Sequence, residues 1–268
     1  MKIEAIIATY QRRGLASLMN VMPPDYCLLA AEALWKTTRG HLLLCTGFYS
    51  YGSGETDGPP GTYFLYKALQ RLGFMPLIVT DSYSEAYFTS KDLRCEIFDF
   101  QTEARLLLEK YRPQALIAIE RCGRAIDGKY YSMHKKDISS YTPPIDALFL
   151  QASCLKLGIG DGGNEIGMGK YREILSRTAS VIPCVVETDF LIPATVSNWG
   201  AYGLLAAMSK LTKTNLLPSF EEVKDYLHFI VNKGATDGIK GAGNYSVDGF
   251  SLEIEKEILA LLTAEAGY

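Results

Sequence analysis

"HLLLCTGF", residues 41–48, is a short and almost wholly apolar run that ends beside a glycine. A run of this length without polar alternation reads as a strand buried on both faces. "TYFLYKALQRLG" (62–73) follows, with apolar residues at helical spacing and Gly73 as its stop, and then "MPLIVTD" (75–81), a second buried strand. The alternation continues through "CEIFDF" (95–100), a helix from "TEARLLLEKY" (102–111) and "ALIAIE" (115–120). "DALFLQASCLK" (146–156) reads as a helix, "LGIGD" (157–161) as a strand, "NEIGMGKYREILSRT" (164–178) as a helix and "SVIPCVVE" (180–187) as a strand. Further helices are expected at 25–38, where Asp25 is placed to cap, and over 198–212, 219–234 and 251–267. Such a pattern predicts an α/β chain: a mainly parallel sheet with helices on both faces, Rossmann-like and three-layered. No internal repeat, low-complexity tract or linker divides residues 1–268.

The chain's 268 residues are long enough to bury a sizeable core without covalent staples. Its net charge of −3 gives no electrostatic reason to expect nucleic acid or acidic membranes. No run approaches the ~20 apolar residues of a membrane span, and the N-terminus lacks the pattern of a signal peptide. Six cysteines lie far apart with no CxxC pair, as small hydrophobes do in a reducing compartment. A cytoplasmic enzyme is the default expectation. The apolar helix "GLLAAMSKL" (203–211) fits either the core or a second copy in a homo-oligomer, with the core favoured.

In a sheet of this kind ligands bind beyond the carboxyl ends of the strands, where the βα loops gather. Three such loops are rich in chemistry. "TGFYSYGSGETDGPPG" (46–61) sets Glu55 and Asp57 among glycines and prolines. "IERCGRAIDGKYYSM" (119–133) gathers Glu120, Arg121, Arg124 and Asp127, and arginine's planar fork suits a carboxylate or phosphate. "GIGDGGNEIGMGK" (158–170) holds six glycines, Asp161, Asn164 and Glu165. Gly158, Gly160 and Gly163 satisfy GxGxxG, and Glu187 stands where a dinucleotide-binding unit places its ribose-binding acid. That makes a nucleotide- or dinucleotide-binding protein the alternative reading. Asp161 and Glu165 count against it, because a pyrophosphate would meet like charge. A divalent cation reverses the argument, since carboxylates and amide oxygens are what Mg²⁺ or Mn²⁺ prefers. A fourth segment, "ATVSNWGAYGL" (194–204), offers Ser197 and Asn198 as helix N-caps and Trp199 as a pocket wall. Of the three histidines, only His134 borders a polar loop and is a candidate acid–base group.

Taken in order, "TGF", "ETDGPPG", "ER.GRA.DG.YY", "GIGDGGNEIGMGK" and "SNWGAYGL" resemble the D-glutamate cyclase family, more narrowly its C-terminal domain, across almost the whole chain. The resemblance implies a single cyclase-like domain, a lyase of D-amino acid metabolism. The implied reaction converts D-glutamate, or a related small amino acid, to 5-oxo-D-proline plus water with Mn²⁺ or Mg²⁺ assistance. Its partner is a small amino-acid-like molecule, not nucleic acid or membrane. The chemistry needs a Lewis or general acid on the carboxylate under attack. Expected metal ligands are Glu55, Asp57, Asp161 and Glu165, and expected catalytic groups Glu120, Asp161 and Glu165, with Glu120 taking the amine proton. Expected substrate contacts are Thr46, Gly47, Arg121, Arg124, Asp127, Gly162, Gly163, Asn164, Ser197, Asn198 and Trp199, with Arg121 or Arg124 clamping the α-carboxylate.

Overall fold

The computed structural model describes residues 2–178 and 180–268. Six strands, β1 (His41–Thr46), β2 (Met75–Thr80), β3 (Cys95–Ile97), β4 (Ala115–Ile119), β5 (Leu155–Gly160) and β6 (Phe190–Pro193), form one sheet. Every pairing is parallel, and the spatial order is β3–β2–β1–β4–β5–β6. Chain direction across the sheet therefore reverses between β1 and β4. At that switch point the loops leaving two neighbouring strands part and open a crevice.

Alternate side chains of each strand enter different cores. Leu42, Leu44, Ile117, Ile119 and Ile159 share one with helices α1 (Tyr26–Lys36), α2 (Pro59–Arg71), α6 (Ser197–Thr212), α7 (Phe220–Asn232) and α8 (Leu252–Ala266). Leu43, Cys45, Val79, Leu116 and Ala118 meet α3 (Ala104–Tyr111), α4 (Asp146–Gln151) and α5 (Arg172–Thr178) on the other. Period-two alternation in runs without polar residues thus buries both faces, giving three layers. Among the described residues no helix is long and apolar enough to cross a membrane.

Around the glycine-rich stretch the fold departs from the sequence reading. No helix begins at Asn164; a 3₁₀ turn at Gly169–Tyr171 leads into α5 only at Arg172. The chain first folds back across the face of β5. A Cβ on Gly158 would lie 2.5 Å from the Ile166 carbonyl oxygen, and one on Gly169 2.4 Å from the Val185 carbonyl carbon. These glycines admit backbone, and there is no helix N-terminus for a pyrophosphate. "SVIPCVVE" likewise forms no strand; its residues bond to the returning loop, with Cys184 N donating to Gly163 O (2.9 Å) and Gly167 N to Val186 O (2.9 Å). The sixth strand is the next segment, Phe190–Pro193. The "DALFLQASCLK" helix ends at Gln151 because β5 claims Leu155 and Lys156. Asp25 precedes α1 without capping it, its carboxylate accepting from Lys2 Nζ at 2.9 Å.

Because backbone already occupies the space, Gly158→Ala is expected to cost about 1–3 kcal/mol through local overpacking. Urea denaturation measures it, and an unchanged midpoint would contradict the close approach.

Candidate active site

The site is built on two helix starts that cap each other across the crevice. Asp57 precedes α2, yet its carboxylate serves α6: Oδ1 accepts from Asn198 N (2.8 Å) and Oδ2 from Ser197 N (2.8 Å). Asn198, in the first turn of α6, returns the bond, its Oδ1 accepting from Gly58 N (3.0 Å) and Gly61 N (2.9 Å) at the start of α2. Ser197 and Asn198 therefore do not cap their own helix. Val196 holds the N-cap position with no side-chain bond, and Asp57 supplies the acceptor from another loop. Orphan backbone donors at both helix ends are satisfied in this way.

Glu120 leaves β4 in the left-handed region (φ 44°), conformational strain that turns its side chain toward the crevice. Gly58 faces it with φ 98°, and a Cβ there would stand 2.8 Å from the Glu120 Cβ. The Ser197 hydroxyl donates to Glu120 Oε2. Asp161, at the carboxyl end of β5, completes the group: Asp57, Glu120 and Asp161 offer oxygens within 4.8 Å of one another.

Glu55, Glu165 and Asp248 join these three acids around a cavity of about 220 Å³. Arg13 is the cation set among them, Nη1 donating to Asp161 Oδ2 (2.6 Å) and Nη2 to Asp248 Oδ1. Six carboxyls around one buried guanidinium leave a surplus of negative charge, which the acids relieve by holding protons. Burial, then Asp248 and Asp161, push Glu55 up to about 8. Burial pushes Asp161 up to about 7 against the pull of Arg13, and burial with Asp161 does the same for Asp248. Glu120 and Asp57 are driven well above the ordinary carboxylate range by burial and by Asp161. The oxygens of Glu165 accept from Gly162 N (2.9 Å) and Gly163 N (2.8 Å) and so stitch the glycine loop together.

The expected residues thus divide. Glu55, Asp57, Glu120, Asp161, Gly162, Asn164 and Glu165 all line the cavity. Arg121, Arg124 and Asp127 do not. Arg121 is 1% exposed and donates to Gly47 O (2.7 Å), Pro143 O (2.7 Å) and Asp81. Arg124 grips Asp146 with two nitrogens (2.8 and 2.9 Å), and Asp127 bonds Tyr131 and Lys129 on the surface. Both arginines are therefore structural braces, because buried acids one loop away claim their forks. Thr46 and Gly47 are not part of the lining, their carbonyls accepting from Thr80 Oγ1 and Arg121 Nη1; Gly163 N donates to Glu165, and Trp199 is wholly buried against Phe250. Arg13 and Asp248 were missed. Each adjoins a glycine in a string, "RRG" and "VDG", that reads as nothing more than a turn.

Three carboxylates are a donor set suited to Mg²⁺ or Mn²⁺. Asp161 Oδ1 is buried with no hydrogen-bond partner among the described residues, which leaves an open acceptor on one member of the group. Of the expected ligands, Asp57 and Asp161 fall in this group with Glu120, whereas Glu55 and Glu165 line the cavity outside it.

The D-glutamate cyclase-like, C-terminal family profile matches residues 3–263. The chain belongs to this family. Human mitochondrial D-glutamate cyclase is 31% identical over 92% of the chain. The chain spans 50% of the length of that human protein. Among solved structures, an exopolyphosphatase-related protein from Bacteroides fragilis aligns over 91% of the chain and 58% of its own, with a TM-score of 0.45 and 11% identity. So distant a likeness says nothing about this cavity.

Carboxyl groups raised on folding make stability depend on pH. Each binds its proton more tightly folded than unfolded, so its contribution is complete below the unfolded value near 4 and is lost as pH rises through the folded value. With Glu55 at about 8 and Asp161 and Asp248 at about 7, the metal-free protein should lose stability between about pH 4 and pH 8. Glu255, buried elsewhere and pushed up to about 7, adds to the trend. Glu55→Gln should therefore flatten the pH profile of the thermal midpoint in chelator. Identical slopes for variant and parent would contradict the assignment.

Proposed function

We propose that this member of the family is an enzyme, a lyase that closes D-glutamate or a closely related small amino acid to 5-oxo-D-proline and water. The supporting observation is the convergence of Asp57, Glu120 and Asp161 at the switch point, with burial raising Asp161 to about 7 and the neighbouring Glu55 to about 8. In this reaction the amine nitrogen bonds to the γ-carbon and one γ-carbon–oxygen bond breaks. The substrate ammonium gives up two protons, and both leave on the departing oxygen as water. No outside acid, base or oxidant is consumed.

A cavity that moves two protons over a short distance needs acids of nearly matched affinity. Glu55 at about 8 and Asp161 and Asp248 at about 7 are such a set. Glu120, with its Ser197 hydrogen bond, is positioned to take the amine proton or to return it to the leaving oxygen. Arg13 fixes the orientation of Asp161 and Asp248 without leaving the cavity neutral. Asp57, Glu120 and Asp161 would hold a divalent cation, which when bound supplies Lewis-acid withdrawal of charge from the γ-carboxylate. The nucleotide-binding alternative loses its support, because the glycine loop opens no helix and carries acids toward the cavity.

Incubation with D- and L-glutamate and Mn²⁺, followed by chiral chromatography, should show 5-oxo-D-proline from the D isomer. Glu120→Gln and Asp161→Asn should each lower kcat at least about 100-fold while the circular dichroism spectrum is retained. Folded variants with full activity would defeat the reading.

A further inference from the structure

Cyclisation leaves the α-carboxylate of the substrate untouched, so substrate and product present the same anion. A cavity walled by six carboxyls must nevertheless hold it. Arg13, His134 and Lys136 are the basic side chains along the wall. Arg13 is already engaged by Asp161 and Asp248. Arg121 and Arg124, the forks that sequence alone would have chosen, are committed elsewhere.

His134 and Lys136 stand on one tight turn. Tyr131 and Asp137 pair as an antiparallel bridge, Ser132 N donates to Lys136 O (3.0 Å) and Lys135 N donates to Ser132 O (2.9 Å). Lys135 takes the left-handed conformation (φ 60°) and is not part of the wall, whereas Met133, His134 and Lys136 are. The acid on the same turn, Asp137, is paired to Lys129 at 2.9 Å. Lys136 forms no ion pair among the described residues and is exposed at the cavity mouth. Besides its acids the wall therefore carries an ammonium, on a braced turn, with no ion pair among the described residues.

The geometry points to Lys136, with His134 beside it, as the anchor of the α-carboxylate and the group that selects substrates carrying a carboxylate on the amine-bearing carbon. This rests on the cyclase reading for its substrate but makes a separate claim about recognition. With the α-carboxylate held at the basic rim, the amine and γ-carboxyl extend toward Glu120 and Asp161. 4-Aminobutanoate, which lacks only that carboxylate, could undergo the same ring closure but has nothing for Lys136 to hold.

Calorimetry of the full chain with Mn²⁺ measures binding of D-glutamate, 5-oxo-D-proline and 4-aminobutanoate, and steady-state kinetics follow turnover of the two open-chain compounds. Lys136→Met should weaken D-glutamate and 5-oxo-D-proline, the two ligands with an α-carboxylate, about tenfold, as loss of a charge-assisted bond does. It should raise KM with kcat nearly kept, and leave 4-aminobutanoate unaffected. Lys136→Arg should restore most of the affinity, and Lys135→Asn, which removes a charge from the same turn, should change nothing. Discrimination retained in Lys136→Met, or a fall in kcat at constant KM, overturns the anchor. Binding that depends on Lys136 without turnover in the parent protein overturns the cyclase reading alone. No binding of any of the three ligands to the parent overturns both.

Discussion

The exchange of caps between Asp57 and Asn198 is the constraint from which the site follows. Two helices on different strands of the crossover scheme begin at the same point, and the N-cap residue of neither, Gly58 or Val196, supplies a side-chain acceptor. A carboxylate from one loop and an amide from the other close both ends with four backbone hydrogen bonds of 2.8–3.0 Å. This lock draws the loop after β1 against the start of α6, and Ser197 then meets Glu120 at the end of β4. The crevice would exist in any sheet of this order, but its acids face one another because the two helix starts are pinned.

Once gathered, the acids govern the electrostatics. Burial and mutual repulsion raise several of them toward or above neutrality, so the cavity carries less negative charge than six ionised carboxyls would give it. Arg13 offsets part of the surplus and comes from the N-terminal segment, which contributes no strand. It thereby ties that segment to the loop carrying Asp248.

Much of this was legible in the sequence because apolar runs such as "HLLLC" and "ALIAI" admit only a doubly buried strand, and the carboxyl-end rule then located the loops. Glu55, Asp57, Glu120 and Asp161 followed, since acids among glycines at strand ends have few structural uses. Failures came where a residue's partner is distant in sequence. Arg121 and Arg124 look like substrate clamps until Asp81 and Asp146 claim them. Asp248 and Arg13 look like turn residues until the fold sets them 2.6 Å or less from a counter-charge. The glycine string misled most, because glycine that admits a phosphate and glycine that admits returning backbone are written identically.

Anomalous diffraction at the manganese edge from crystals soaked in Mn²⁺ tests the central claim most directly. The account predicts a single strong peak bounded by the carboxylates of Asp57, Glu120 and Asp161, with Glu165 still bonded to Gly162 and Gly163. Saturating Mn²⁺ with no peak there, and those three carboxylates turned from one another, would contradict it.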